Sequence, residues 1–299
     1  MTAPEQRVTL VLLTHDCADR LAPVLERLIA HGVPLIVVDN GSRDRTPQVL
    51  AAYDVRRVLR AATSAPRPAT TERVWPGRRT SRSANDEWYA EGSLARAAAL
   101  LDAHPSLGLV NARIVVGEQE RLDPISAEME QSPLPDHDGI PGPVLLGFMA
   151  GAVVVRRAAF LEAGGYDARF FIGGEEETLA VPLARLGWQM RYNPAVVVHH
   201  HPSGASAPHL RHYGVRNTVV TAWLHRPWRR ALSWTWFVAR STRSRWAVVR
   251  GLAMAAAAVP WIVRERSVVD PELDRRLAVL EERRRAATTT RRRGSTVAG

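Results

Sequence analysis

Three groups of residues along this 299-residue chain have the types and spacing for chemistry. Asp39-Asn40-Gly41-Ser42, with Asp44 and Thr46 behind it, closes the apolar run Leu35 to Val38. A carboxylate and an amide thus stand where a strand gives way to a turn and a helix start. Asp39 placed there points into a crevice and can accept hydrogen bonds from a nucleobase N–H, while Ser42 or Asp44 caps the helix. The same residues also suit turn chemistry alone. Glu175, Glu176 and Glu177 open a helical stretch that follows Gly173-Gly174. A carboxylate at a helix start can take a proton from an attacking hydroxyl, or can simply complement the helix dipole. His199-His200-His201 ends the apolar run Val196 to Val198, and alternate imidazoles of an extended chain face opposite sides. Three imidazoles in a row point to a metal ligand, with His199 and His201 sharing a face.

The surrounding pattern supplies the elements that must hold these groups. Val8 to Leu13 is a short β-branched and leucine run, and Leu21, Val24, Leu25, Leu28 and Ile29 follow at helical spacing before Leu35 to Val38. Strand, helix and strand in so short a stretch form a βαβ unit, hence a parallel sheet buried on both faces. Asp39 then falls at the carboxyl edge, where open α/β sheets bind ligands. The pattern continues with a helix over 93–103, strands over 108–116 and 151–155, a helix over 176–186 and a short strand over 196–198. No G-x-G-x-x-G follows the first strand, which disfavours a nicotinamide-dependent dehydrogenase.

Composition narrows the class further. An apolar fraction of 46% and a charged fraction of 23% are ordinary for a folded chain. The net charge is +10 and every basic residue is arginine, which favours phosphates, anionic lipid or nucleic acid as partners. Cys17 stands alone, so an internal disulfide and a cysteine-based zinc site are both excluded. The polar start, Met1 to Arg7, and the short apolar run after it do not resemble a signal peptide. The expectation is a cytoplasmic protein, peripheral at the inner face of the plasma membrane. Six of the nine tryptophans lie between Trp223 and Trp261, mixed with arginine, and Arg250 and Pro260 interrupt the apolar stretch Ala247 to Val263. That region reads either as an interfacial element on a bilayer or as helices packed on the main domain. Arg283 to Arg285 and Arg291 to Arg293 sit in a Thr/Ala/Gly-rich segment that reads as a solvated, disordered tail.

Several motifs occur in an order that resembles the family-2 glycosyltransferases. They are Thr14-His15-Asp16, Val37-Val38-Asp39-Asn40-Gly41-Ser42 with Asp44 and Thr46, Gly147-Phe148 with Gly151 and Arg156-Arg157, Gly164-Gly165-Tyr166-Asp167, Gly173-Gly174-Glu175-Glu176, and Arg216-Asn217. The resemblance covers roughly Val8 to Asn217 and suits a rhamnosyltransferase-like branch. It implies a GT-A-type α/β fold with a mostly parallel, Rossmann-like sheet flanked by helices and a C-terminal helical appendage. It also implies a nucleoside-diphosphate sugar donor, a divalent Mn²⁺ or Mg²⁺, a glycan or lipid-linked acceptor, and inversion in a single displacement. Carried over by position, Thr14, Asp39, Asn40, Ser42 and Asn85 hold the nucleotide, and Arg216 and Asn217 approach the diphosphate. Glu176 is the base, with Glu175 as the first member of its motif and Thr178 in place of the second Asp. Asp86 and His199 hold the metal, with His201 as the alternate. The implied division is a catalytic domain over 1–222, a Trp/Arg-rich helical region over 223–282 and the tail over 283–299.

The pattern breaks in one segment. Where the family carries a hydrophobic strand and then two or three Asp residues, this chain has Arg78-Arg79-Thr80-Ser81-Arg82-Ser83 and then Ala84-Asn85-Asp86. With CGN, ACN and TCN codons, reading two bases further on permits Thr-Tyr-Val-Ala-Phe, a plausible core strand. The same shift at Pro68-Ala69-Thr70-Thr71-Glu72 permits Arg-Asn-Asn-Gly, the family's usual upstream motif. Two readings compete for 62–83: a stretch translated out of frame between compensating indels, and a true polar insertion. Two rival functions also follow. One is a catalytically impaired scaffold or binding protein of the same fold. The other is a basic membrane- or nucleic-acid-binding protein, although nothing points to a specific nucleic-acid partner.

Overall fold

The computed structural model describes residues 7–59, 79–83, 86–170, 172–202 and 208–296. Strand β1 (Val8–Thr14), helix α1 (Ala18–Ile29), strand β2 (Leu35–Asp39), helix α2 (Thr46–Ala51) and strand β3 (Arg56–Leu59) form two successive βα units. Every residue of β2 and nearly every residue of β1 is buried, as a parallel strand covered on both faces requires. In α1 the buried residues are Leu21, Val24, Leu25 and Leu28, the stripe expected of an amphipathic helix lying on a sheet. Register sets Thr14 opposite Asp39, so the two strands end together.

The rest of the sheet comes from β4 (Arg79–Ser83), β5 (Glu87–Tyr89), β6 (Leu107–Val116), β7 (Arg121–Leu122), β8 (Val153–Arg156) and β9 (Gln189–His200). Strand order is β3-β2-β1-β4-β8-β6-β9-β5, with β7 paired to β6. From β3 to β4 all neighbours are parallel. β8 runs antiparallel to both β4 and β6, β9 parallel to β6, and β5 antiparallel to β9. Helices α3 (Ser93–Ala103), α4 (Pro124–Glu130), α5 (Arg157–Glu162) and α6 (Glu177–Arg185) complete the layers. One core joins β1 to α1 and α3 through Leu10, Leu25, Leu94 and Leu101, and a second joins β6 and β8 to α5 and α6 through Leu109, Val155, Phe160 and Leu183.

Helices α7 (Arg211–His225), α8 (Trp228–Ser241), α9 (Arg245–Glu265) and α10 (Pro271–Thr296) form the C-terminal appendage. A third core places α7 between α8 and α9 through Val219, Val220, Trp234, Ala255 and Ile262. The buried Arg226, just after α7, pairs with Asp274 at 2.6 Å and with Glu281, both on α10. Within the segment 283–299, expected to be a disordered tail, the described residues continue the helix to Thr296. Arg283 donates to the Gln131 carbonyl, and Arg285 covers the Phe237 ring at 4.9 Å. Contacts of this kind hold helix that composition alone reads as loose.

The strand absent from the sequence pattern is present in the sheet. β4 pairs with β1 on one side and β8 on the other, and it occupies the five positions at which the shifted codons permit Thr-Tyr-Val-Ala-Phe. Its neighbours are apolar strands, a setting in which a central strand gains from β-branched and aromatic residues. Replacing residues 79–83 with Thr-Tyr-Val-Ala-Phe should therefore raise the melting temperature, since each large apolar side chain buried contributes about 1.5–3 kcal/mol. Calorimetry of the two forms checks this, and a lower melting point for the replacement would show that the polar strand suits this fold.

Candidate active site

The carboxyl ends of β1 and β2 meet in a pair of laced loops. Thr14 is buried and its hydroxyl donates to the Val38 carbonyl at 3.4 Å, while Asn40 N–H donates to the Thr14 carbonyl at 2.9 Å. Asp39 does not project freely from the strand end, as the sequence suggested. It is only 3% exposed, and its Oδ1 accepts from the Ser42 backbone N–H at 3.1 Å and from the Ser42 hydroxyl at 2.6 Å. Ser42 Oγ in turn accepts from Asp16 N–H at 3.0 Å. The Asp16 carboxylate accepts from Arg43 N–H at 2.7 Å, and Asp44 accepts from Ala18 N–H at 3.0 Å, at the start of α1. Asp16 has φ of 44°, a left-handed conformation that Asp tolerates better than most residues. Its bracing role was missed in the sequence, where it read only as part of a motif.

A second group forms where β5 meets the end of β9. Asp86, Glu87 and His200 each offer a ligand atom, and these atoms lie within 4.8 Å of one another. Register sets Glu87 opposite His200, and His201 N–H donates to the Asp86 carbonyl at 2.9 Å. His200 Nε2 stands 3.7 Å from Asp86 Oδ2, and that carboxylate raises the imidazole pKa above its ordinary value against the opposing effect of burial. His199 and His201 are on the other face. His199 stacks on Trp88 with ring centroids 5.6 Å apart, His201 lies 4.7 Å from the same ring, and His199 Nδ1 is 3.3 Å from Glu120. Of the three histidines that the sequence offers, the structure groups His200 with Asp86, sets Glu87 beside them, and places His199 and His201 on the other face. Two carboxylates and one imidazole suit Mn²⁺ or Mg²⁺ by donor type. Asn85 lies outside the described residues.

The third group is carried by the segment before α6. Gly173 and Gly174 have φ of 78° and 86°, and a Cβ on Gly173 would meet the Gly214 Cα at 3.3 Å. This tight turn is held from α7. Asn217 Nδ2 donates to the carbonyls of Ile172 at 3.3 Å and Gly173 at 2.9 Å. Arg216 donates to the Arg169 carbonyl at 2.9 Å and to Asn217 Oδ1 at 2.8 Å, with its guanidinium over Phe170 at 4.7 Å. Both side chains, expected to approach a diphosphate, are buried and hold the loop that precedes Glu175. Glu175 is buried, and among the described residues its Oε2 has no hydrogen-bond partner. Glu176 Oε1 accepts from Ala150 N–H at 3.4 Å.

The turn at Ala150–Ala152 links the last two groups. A Cβ at Gly151 would stand 1.9 Å from Glu87 Oε2, so the Glu87 carboxylate occupies space that only glycine leaves open. Adjacent residues of one turn thus touch Glu87 and Glu176. Beside Glu176 opens a cavity of about 280 Å³, whose walls include Met129, Phe148, Met149, Leu280 and Arg284.

Comparison with known proteins places this geometry in context. No family model matches the chain. Over 96 residues it is 34% identical to the N-acetylglucosaminyl-diphospho-decaprenol L-rhamnosyltransferase of Mycobacterium tuberculosis, a match covering 30% of this chain and 31% of that enzyme's length. The mannosyltransferase PcManGT of Pyrobaculum calidifontis, solved with GDP-Man and Mn²⁺, superposes with a TM-score of 0.55 at 19% identity over 85% of this chain and 75% of that one. GalNAc-T7 with UDP, GalNAc and Mn²⁺ gives 0.56 at 13% identity over 79% and 51%. S. aureus TarS 1-349 with UDP-GlcNAc gives 0.54 at 13% identity over 72% and 65%. The fold is that of the GT-A glycosyltransferases. Within that class, the similarity to the rhamnosyltransferase is confined to about a third of each chain.

The group of Asp86, Glu87 and His200 has a direct check as a cation site. Removing His200 or Asp86 by substitution with Ala should weaken Mn²⁺ binding by at least about tenfold, since even groups that only support a metal ligand typically account for about 10–100-fold. His199→Ala should leave the affinity unchanged. Calorimetric titration with Mn²⁺ alone separates the two faces of β9, and a larger loss from His199→Ala would restore the original assignment.

Proposed function

We propose that the chain transfers a sugar, with inversion, from a nucleoside-diphosphate sugar to a hydroxyl of a polysaccharide or lipid-linked acceptor at the inner membrane face. The observation that carries this reading is the Ala150–Ala152 turn, which sets Glu176 beside a group of metal-ligand type at the carboxyl edge of a GT-A sheet. Support for the donor comes from structural neighbours solved with GDP-Man, UDP or UDP-GlcNAc. Support for a lipid-linked acceptor comes from the name of the M. tuberculosis relative, over the third of its length that matches.

In this reading the laced loops bearing Thr14, Asp39, Asn40 and Ser42 receive the nucleoside. Asp86, Glu87 and His200 hold Mn²⁺ or Mg²⁺, which when bound neutralises charge growing on the departing diphosphate. Glu176 takes the proton of the acceptor hydroxyl as that oxygen attacks the sugar carbon from the cavity side. Glu175 begins the turn that aims Glu176, and Asn217 and Arg216 fix that turn from α7. A second reading, a donor-binding protein of impaired activity, is favoured by Ala84 and Asn85, which stand where the family has carboxylates.

Glu176→Gln decides between them. The amide keeps the size of the carboxylate and loses its basicity, so turnover should fall by about 10²–10⁴-fold while donor affinity stays within about twofold. Single-turnover transfer and a donor titration on the same preparation read the two quantities. Wild-type chain that binds donor without transferring sugar would establish the second reading. Undiminished transfer by the variant would remove Glu176 from the role.

A further inference from the structure

We propose that the outward face of α8, continued across the short link from Ser241 to Arg245 by the first turns of α9, forms a docking surface for an anionic lipid bilayer. On α8, Trp228, Leu232 and Trp236 recur at every fourth residue and are 46%, 59% and 65% exposed. At the start of α9, Trp246 and Val249 are 50% and 70% exposed. These are not leftover core positions, because each helix already has an inner face. Ala231, Trp234 and Val238 of α8 and Gly251, Ala255, Ala258 and Ile262 of α9 are buried against the α7 core. An amphipathic helix needs one apolar face for its own domain, and these helices carry a second, facing solvent.

Charge selects the occupant. Between Trp228 and Arg264 there are seven arginines and no Asp or Glu, and all seven are exposed. Arg240 lies 5.5 Å from the Trp236 ring and Arg250 lies 5.3 Å from the Trp246 ring, so guanidinium and indole are presented together. Indoles seated at headgroup level with cations beside them are the pattern of an interfacial helix, and each cation adds attraction to anionic headgroups.

α9 is also long and apolar enough to cross a bilayer by length and composition. Its packing argues for lying on the surface. A Cβ at Gly251 would stand 2.7 Å from the Val215 side chain and 2.8 Å from the His212 carbonyl, so the two backbones approach as closely as glycine permits. α9 is thereby seated along α7. The inference deepens the lipid-linked reading by naming the surface that meets the bilayer.

Sedimentation of the full chain with phosphatidylcholine vesicles, with and without phosphatidylglycerol, tests this in the absence of donor and metal, so loss of transfer activity does not affect the result. Binding should require phosphatidylglycerol, weaken with salt, and fall about tenfold in Trp236→Glu and again in Val249→Glu, with melting temperatures unchanged. Brominated lipid should quench the tryptophan fluorescence of the wild type. Absence of vesicle binding, or binding indifferent to both substitutions, would overturn the proposal. So would a stable dimer abolished by Trp236→Glu without vesicle binding, which would assign the face to a second copy. Retention by duplex DNA in place of vesicles would assign it to nucleic acid.

Discussion

A carboxylate and a backbone compete for one space at Gly151, and the rest of the site depends on how that competition is resolved. Glu87 Oε2 lies 1.9 Å from where a Cβ would be, so any other residue would push the carboxylate away from Asp86 and His200. The residue before it, Ala150, spends its N–H on Glu176. The turn is therefore shared by a group suited to a cation and a group suited to a proton. Its own position follows from β8, which enters the sheet antiparallel between β4 and β6 directly after the turn. Moving β8 by one residue would separate the two carboxylates.

The parallel half of the sheet is organised by different means. There the strands simply end in register, and the two loops beyond them exchange hydrogen bonds through Ser42, Asp16 and Asp44. The side chains substitute for a helix cap at α2, whose flanking Arg45 makes no side-chain cap bond. Such cross-loop bonds each contribute roughly 1 kcal/mol, yet together they preorganise a concave edge that would otherwise be two separate turns.

Periodicity and composition made the βα units, the Asp39 turn and the helical C-terminal region legible, because each is written in local pattern. What failed was parity. Alternation along a strand correctly separates His200 from its two neighbours, but it does not say which face meets Asp86. β9 carries an irregularity between Asn193 and Val197 in its pairing with β6, and Pro194 to Val196 are absorbed there. Such a slip resets the facing of all that follows; Pro194 marks its place, but no residue pattern gives the number of residues absorbed. Arg216 and Asn217 were illegible for another reason. Their burial in α7 depends on a loop 44 to 47 residues earlier in the chain. β4 was legible only as an absence, since its composition opposes the position that its neighbours impose.

α7 connects features that seem unrelated in sequence. Its first half grips the turn that aims Glu176, and its flanks carry α8 and α9. α7 thereby links the turn that carries Glu176 to the outer helices. On a lipid surface such a helix acts as a ruler: an acceptor hydroxyl would be reached only at the elevation that α7 sets. Selectivity among acceptors could then come from how far the sugar stands above the headgroups, without any contact that reads the sugar itself.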